Sequence, residues 1–493
     1  MEAYTRPKML RVVGNHKIKD VWEDDLAFKV HGILEQKMVD WTSTDVVRIG
    51  YVDDPPGTVV LWIGVNPDSD SVPYEVAVDT VSACKTLLSD YGIVDVDVEM
   101  RLSKLTRYAG PSLLRPVIDF DARADLSAPF NNALTIPICS ELTPWAAGSS
   151  GFFLEGGDDG KTRKRLFLVT ARHVVFPGSS NLNNEPFEHK HPSQKRHNVL
   201  IINEASFREH LVSVDDNINT LSEAIGFRHR RLELVEGEDD SAKARRKKLW
   251  NDVNEFEEII NGLNALRTEL STDWSTDESR TLGHVIFSPP IVFGAGPSGY
   301  TQDVAVIEID NSKLDPGSFG GNVLDLGTKY QSTVFENMMY RSPKNPHKFE
   351  FPGNHLLSIR GTIPDTEMRK PNMYDERNER CIMVIKNGRS SGVTIGRAEG
   401  IFSYTRIHSN ITGISKEWAI LPFDKEKGAF SQKGDSGAAV IDGRGRIGGL
   451  LTGGTGLTES TDITYVTPIG FIMNVIHGNE SLANAHIKAG PPA

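Results

Sequence analysis

A chain of 493 residues is long enough for two or three domains, and 39% hydrophobic with 24% charged content is the balance of a soluble globular protein, not of a disordered chain. A formal net charge of -12 argues against nonspecific binding to nucleic acid or to acidic membranes. Three cysteines, Cys84, Cys139 and Cys381, are too few for a structural disulfide framework.

Residues 1–125 are expected to form a small α+β module. Val46-Val47-Arg48-Ile49-Gly50-Tyr51 and Val59-Val60-Leu61-Trp62-Ile63-Gly64-Val65 read as strands joined by a Pro55-Pro56-Gly57 turn. Tyr74, Ala77, Val81, Cys84, Leu88 and Tyr91 then recur at helical spacing, and Gly92 stands where a helix would stop. Val94, Val96, Val98 and Met100 alternate with acids, as in a half-exposed strand. The module has no His/Cys cluster and no glycine-rich phosphate loop, so docking or regulation is expected of it. Trp62 and the helix are expected in its core.

Residues 126–312 read as a β domain carrying an insertion. Leu166-Phe167-Leu168-Val169-Thr170-Ala171-Arg172-His173 is an apolar strand that ends by presenting His173. Tyr300-Thr301-Gln302-Asp303-Val304-Ala305-Val306 places Asp303 at the head of another apolar run, where a buried acid needs a partner. Taken singly, these are a core histidine and an acid that begins a strand. Between them lie 130 positions, and much of the excess is helical in period. Phe207, Leu211, Val214, Ile218, Leu221, Ile225, Leu232 and Val235 form a heptad seam, and Leu249, Val253, Phe256, Ile260, Leu263 and Leu270 continue it after the polar link 237–241. An antiparallel helical hairpin over 204–275 is therefore expected, with an arm of about 43 Å for the 29 residues from Phe207 to Val235. It either fills its own seam or binds a protein partner or a second copy of the chain. The basic run Lys243-Ala244-Arg245-Arg246-Lys247-Lys248 is a solvated helix start that also matches a nuclear-localisation pattern.

Residues 313–377, rich in Pro, Gly, Asn and charge, read as a connection with local packing of Phe349, Phe351, Leu356, Leu357 and Ile359. A second β domain follows over 378–476. It opens with Cys381-Ile382-Met383-Val384-Ile385-Lys386, a turn at Asn387-Gly388, and Gly392-Val393-Thr394-Ile395-Gly396. Further on, Lys433-Gly434-Asp435-Ser436-Gly437 sets a serine among glycines, followed by the apolar run Ala438-Ala439-Val440-Ile441. A hydroxyl becomes a nucleophile only with a base to take its proton and donors to hold the oxyanion, and flanking glycines let the backbone turn its N–H groups inward. Residues 477–493 read as a frayed polar tail.

In the order His, Asp, Ser, the three motifs resemble the trypsin-like (chymotrypsin-fold) serine peptidases, where a T-A-x-H strand end, a D-[IV]-A-[LV] strand and a G-D-S-G loop supply a triad. Gly448-Gly449-Leu450-Leu451-Thr452-Gly453-Gly454 is similar to the family strand that pairs with substrate, and Tyr465-Val466-Thr467-Pro468-Ile469 to its last strand and the start of its C-terminal helix. The resemblance covers about 130–312 and 378–476. It implies a mainly β fold with added α: two six-stranded antiparallel barrels, the N-terminal module and the helical insertion. It also implies Ser436 as nucleophile, His173 as general base then acid, Asp303 as the group orienting the imidazole, and the N–H groups of Gly434 and Ser436 as the oxyanion hole. Phe430 falls at the base of the P1 pocket, with Ser431, Thr452, Gly453 and Gly454 as the other substrate-binding residues. An apolar Phe430 offers a basic P1 side chain no counter-charge, so small or apolar P1 residues are expected. Where secreted members carry a disulfide cysteine the chain has Val174, and Ala438 replaces the glycine after Ser-Gly. In secreted members the acid before the serine pairs with an N-terminus freed by propeptide cleavage; Asp435 is present here, but no matching activation site is evident in the sequence.

The expected activity is serine endopeptidase, with peptide or protein substrates, no metal or organic cofactor, and no nucleic-acid or membrane partner. The alternative is a silent or autoinhibited scaffold that binds partners through the module and the helical arm. The first residues lead into no uninterrupted apolar run, so no secretory signal is expected, and the expected location is inside a cell, cytoplasmic or nuclear.

Overall fold

The computed structural model describes residues 8–51, 57–65, 72–103, 111–117, 123–156, 165–177, 184–190, 194–315, 317–407, 413–424, 426–455 and 462–491. The chain divides into two units, Met1–Tyr108 and Ala109–Ala493. The boundary expected at 125 therefore moves to 108, because Leu113, Leu126 and Phe130 belong to the large core of the second unit.

In the first unit, strands Lys8–Arg11, Trp41–Tyr51, Thr58–Val65 and Val96–Leu102 form one sheet in that order. The last pair is parallel, Val59 opposite Val96. A parallel return needs a crossover, and helix Tyr74–Asp90 supplies it. That helix ends because Gly92 takes a positive φ of 65°, letting its N–H reach Ser89 O and the Ile93 N–H reach Leu88 O. Leu26, Val30, Leu34, Leu61, Ile63, Cys84 and Leu88 close the core. Helix Ala27–Gln36 and strand Lys8–Arg11 went unanticipated, the first because its apolar stripe is only three turns long. Trp62 is not core as expected. It lies half-buried on the other face of its strand, with the Arg101 guanidinium 3.9 Å from its ring centroid. Pro55 and Pro56 of the expected turn lie outside the described residues.

In the second unit, one sheet runs Ala147–Ser149, Pro137–Ser140, Asn198–Ile201, Thr281–Ser288, Ala305–Ile309, Arg165–Thr170, Phe152–Gly156. Its first and last strands are consecutive in the chain, separated only by Ser150 and Gly151. There the Gly151 N–H bonds Val169 O and the Ser150 N–H bonds Ile136 O, so the sheet curls until its ends meet. A second set of strands closes outright by antiparallel pairing: Arg380–Gly388, Gly392–Ala398, Gly413–Pro422, Ile463–Pro468, Arg446–Thr455, Ala439–Asp442, and back to Arg380–Gly388. Strand Tyr300–Gln302 adds in parallel to Gly413–Pro422, Tyr300 opposite Lys416, and so ties the segment leading to Asp303 to the closed ring.

The insertion consists of helices Glu204–Glu233 and Asp240–Asp273, capped by the side chains of Asn203 and Asp239. Asp215 meets Arg267 at 2.7 Å and Arg228 meets Asp252 at 3.7 Å, so contacts advance along one helix as they retreat along the other. Phe207, Val214, Leu263, Leu266 and Leu270 join the large core at the base. The distal seam residues Leu232, Leu249 and Phe256 are only half-buried.

Two further expectations need correction. The pair Asn387-Gly388 does not form the hairpin turn: both residues stay in the ladder, opposite Val393 and Gly392, and Arg389, Ser390 and Ser391 make the turn. Residues 477–491 are not a frayed tail. Leu482 is buried, and strand His486–Ile487 pairs with Glu155 and Leu154. The connection 313–377 is well packed, with helix Ser332–Met339 burying Phe335, Met338 and Met339.

Candidate active site

Strand Arg165–Thr170 delivers the chain to the short helix Arg172–Val175. Arg172 anchors this corner from within: its buried guanidinium donates to Ser288 O and Oγ, both at 2.9 Å, and to Glu185 O at 2.6 Å. The next residue, His173, faces Asp303. The His173 backbone N–H donates to Asp303 Oδ1 at 3.0 Å, and Nδ1 lies 2.6 Å from Oδ2. An ionised carboxylate only accepts, so Nδ1 carries the proton and Nε2 is left as the basic nitrogen. Asp303 is nearly sealed, while the His173 side chain keeps 32% of its exposure. Desolvation works against the imidazolium, but the Asp303 charge and hydrogen bond prevail and raise His173 above its ordinary value. Burial likewise opposes the Asp303 charge, and His173 with the backbone N–H holds it low.

Ser436 follows a turn fixed by Asp435. That carboxylate is fully buried and accepts from the N–H groups of Ser390 at 2.9 Å, Ser391 at 3.2 Å and Gln432 at 2.9 Å, and from Ser391 Oγ at 2.5 Å. Its charge is met by Lys386 Nζ at 3.2 Å, itself fully buried and also bonded to Ser391 Oγ and Gly392 O. Desolvation pushes Lys386 down to about 8 against the pull of Asp435. Burial would raise Asp435, and Lys386 with the hydrogen bonds keeps it low. An internal lysine thus supplies the positive charge that Asp435 needs. Gly388 lies so close that a Cβ there would overlap the Asp435 carboxylate.

The turn aims its backbone selectively. The N–H groups of Asp435, Gly437 and Ala438 bond Gln432 O, Leu451 O and Asp435 O, whereas those of Gly434 and Ser436 have no partner among the described residues. Gly434 and Gly437 sit at φ of 103° and 89°, which a side chain would resist. Ser436 O accepts from Ser149 N–H at 2.8 Å, and a Cβ on Gly437 would lie 3.3 Å from Ala171 N, two residues before His173. The serine loop and the histidine corner therefore pack against each other. Ser436 Oγ makes no hydrogen bond to a described residue.

A cleft of about 600 Å³ opens beside His173 and Asp303, lined by these two with Thr301, Phe293, Thr452, Gly453 and Gly454 among others, while Gly434 and Ser436 are not among its lining residues. Of the expected substrate-binding residues, Thr452, Gly453 and Gly454 reach it. Phe430 and Ser431 do not: Phe430 is buried, and Ser431 Oγ bonds Thr464 Oγ1 at 2.6 Å. The sequence reading missed Lys386 and Glu417, each a charged residue inside an apolar strand. That pattern is itself a signal, since a buried charge demands a partner.

No protein-family model matches the sequence, and no curated protein matches it. Solved structures overlap it loosely. A glutamic-acid-specific serine protease described as using a histidine triad in substrate binding gives a TM-score of 0.30 at 10% identity, over 69% of this chain and 94% of its own. A protease from M. tuberculosis in its active form gives 0.25 at 11%, over 80% and 97%. Cellulomonas bogoriensis chymotrypsin gives 0.20 at 13%, over 39% and 82%. The fold is carried instead by the strand pairings above.

Proposed function

We propose that the protein is a serine endopeptidase built on a closed six-stranded ring and a second, curled sheet. The observation that carries this reading is the His173–Asp303 pair, bonded through both carboxylate oxygens and opening through its imidazole onto the cleft. Nε2 of His173 takes the Ser436 Oγ proton as the hydroxyl oxygen attacks a peptide carbonyl. Asp303 holds the ring in the tautomer this needs and stabilises the imidazolium that forms. The free N–H groups of Gly434 and Ser436 suit the oxyanion, and donors of this kind are worth about 3 kcal/mol each in the transition state. The imidazolium then protonates the leaving amine, leaving an acyl-enzyme that water hydrolyses. Extended substrate pairing along Thr452–Gly453–Gly454 suits the strand edge there.

A second reading, a non-cleaving scaffold, draws on the absence of a hydrogen bond from Ser436 Oγ. Nucleophile contacts often tighten only with substrate bound, so this weighs less than the His173–Asp303 geometry. Labelling with a fluorophosphonate probe separates the two. The intact protein should be labelled and Ser436→Ala should not, whereas an unlabelled intact protein would favour the scaffold.

A further inference from the structure

Beneath the cleft lies a second buried carboxyl with no assigned role. Glu417 is carried by strand Gly413–Pro422, is 2% exposed and lines the same cleft as His173 and Asp303. Its Oε1 accepts from Ser415 Oγ at 2.7 Å and from Thr301 Oγ1, two residues before Asp303. Its Oε2 is buried without a hydrogen-bond partner among the described residues. No described cation serves it. Lys416, next on the strand, lies 4.6 Å from the Tyr300 ring centroid and 6.0 Å from that of Phe402. Arg406 lines the cleft from an exposed position and makes no ion pair with Glu417. A carboxyl oxygen left dry and unbonded costs free energy that a donor arriving with a ligand would recover.

Resting on the peptidase reading above, we propose that Glu417 is a specificity residue that receives a basic side chain, Lys or Arg, at the substrate position preceding P1. Side chains of an extended peptide alternate. With P1 turned away from Glu417, the preceding residue, P2, turns the other way, toward the part of the cleft floored by Glu417. A cation suits this floor better than a neutral amide, because Asp303 stands close by as a second acid and an ammonium or guanidinium donates several hydrogen bonds. Burial holds the Glu417 carboxyl above the usual range, the Thr301 and Ser415 hydrogen bonds oppose this, and Asp303 adds to the rise.

The test uses the full chain and peptides with alanine at P1 and lysine, arginine, norleucine, glutamine or glutamate at P2, normalised by fluorophosphonate titration of Ser436. The expected result is a kcat/KM about tenfold higher for lysine than for its uncharged isostere norleucine, with glutamate poorest. In Glu417→Gln the lysine-to-norleucine ratio should fall toward one. Equal rates for lysine and norleucine in the intact, labelled protein would overturn the proposal without any variant, and so would an unchanged ratio in Glu417→Gln. An intact protein that is neither labelled nor active would instead sink the peptidase reading, and this proposal with it.

Discussion

Asp303 and Asp435 are both buried aspartates facing a basic side chain, and the protein treats them in opposite ways. Asp303 faces an imidazole that still reaches the cleft and whose pKa it raises against the cost of burial. Asp435 faces an ammonium sealed at 0% exposure, with three backbone N–H groups and a hydroxyl completing its shell. A pair whose partner reaches solvent can trade protons with substrate. A pair sealed on both sides can only hold shape, and the shape held here leaves the N–H groups of Gly434 and Ser436 unbonded.

The largest expected effect comes from breaking the exposed pair. Asp303→Asn presents an amide that favours the wrong histidine tautomer, so kcat should fall about 10⁴-fold while the thermal unfolding midpoint moves little. Near-normal turnover in that variant would erase the distinction between the two aspartates. Lys386→Met should act the other way round. It leaves Asp435 buried and uncompensated, at a cost of about 3–5 kcal/mol readable as a lower denaturant midpoint, with loss of activity as the loop loosens. An unshifted midpoint would mean that the N–H groups alone hold Asp435.

A pH profile sharpens the contrast with a smaller effect. Asp303 favours the imidazolium in the fold, so this pairing contributes stability that is full below the ordinary histidine value of 6.5 and is lost as pH rises through the higher folded value. Catalysis needs neutral His173, so kcat/KM should rise through a pKa above 6.5. It should fall again near 8 as Lys386 loses its proton. Lys386→Arg, if it retains activity, should push the descending limb to higher pH. A flat alkaline side in the unmodified protein would detach Lys386 from the site.

Much of this was legible from local pattern. The apolar run ending at His173, the acid heading Val304-Ala305-Val306, and the glycine-flanked Ser436 each announce themselves within ten residues, and the long heptad seam marks the two helices. What escaped depended on distant partners. Trp62 carries a core residue's composition, but its strand register turns it toward Arg101. The polar C-terminal segment looked free because its partner strand, Phe152–Gly156, lies more than 300 residues away. The hairpin turn shifted from Asn387-Gly388 to the next three residues because Ser390 and Ser391 are needed to hold Asp435.

The sequence by itself determined the local patterns that hold His173, Asp303 and Ser436 and the order in which the chain delivers them, since residue type and local periodicity are properties of short segments. Tertiary structure alone decided which charges meet. Lys386 and Asp435 lie 49 positions apart, and Glu417 and Thr301 lie 116 apart. Only closure of the sheets removes water from these groups, and that desolvation makes one acid a brace, another the orienting partner of a base, and a third an unfilled acceptor at the floor of the cleft.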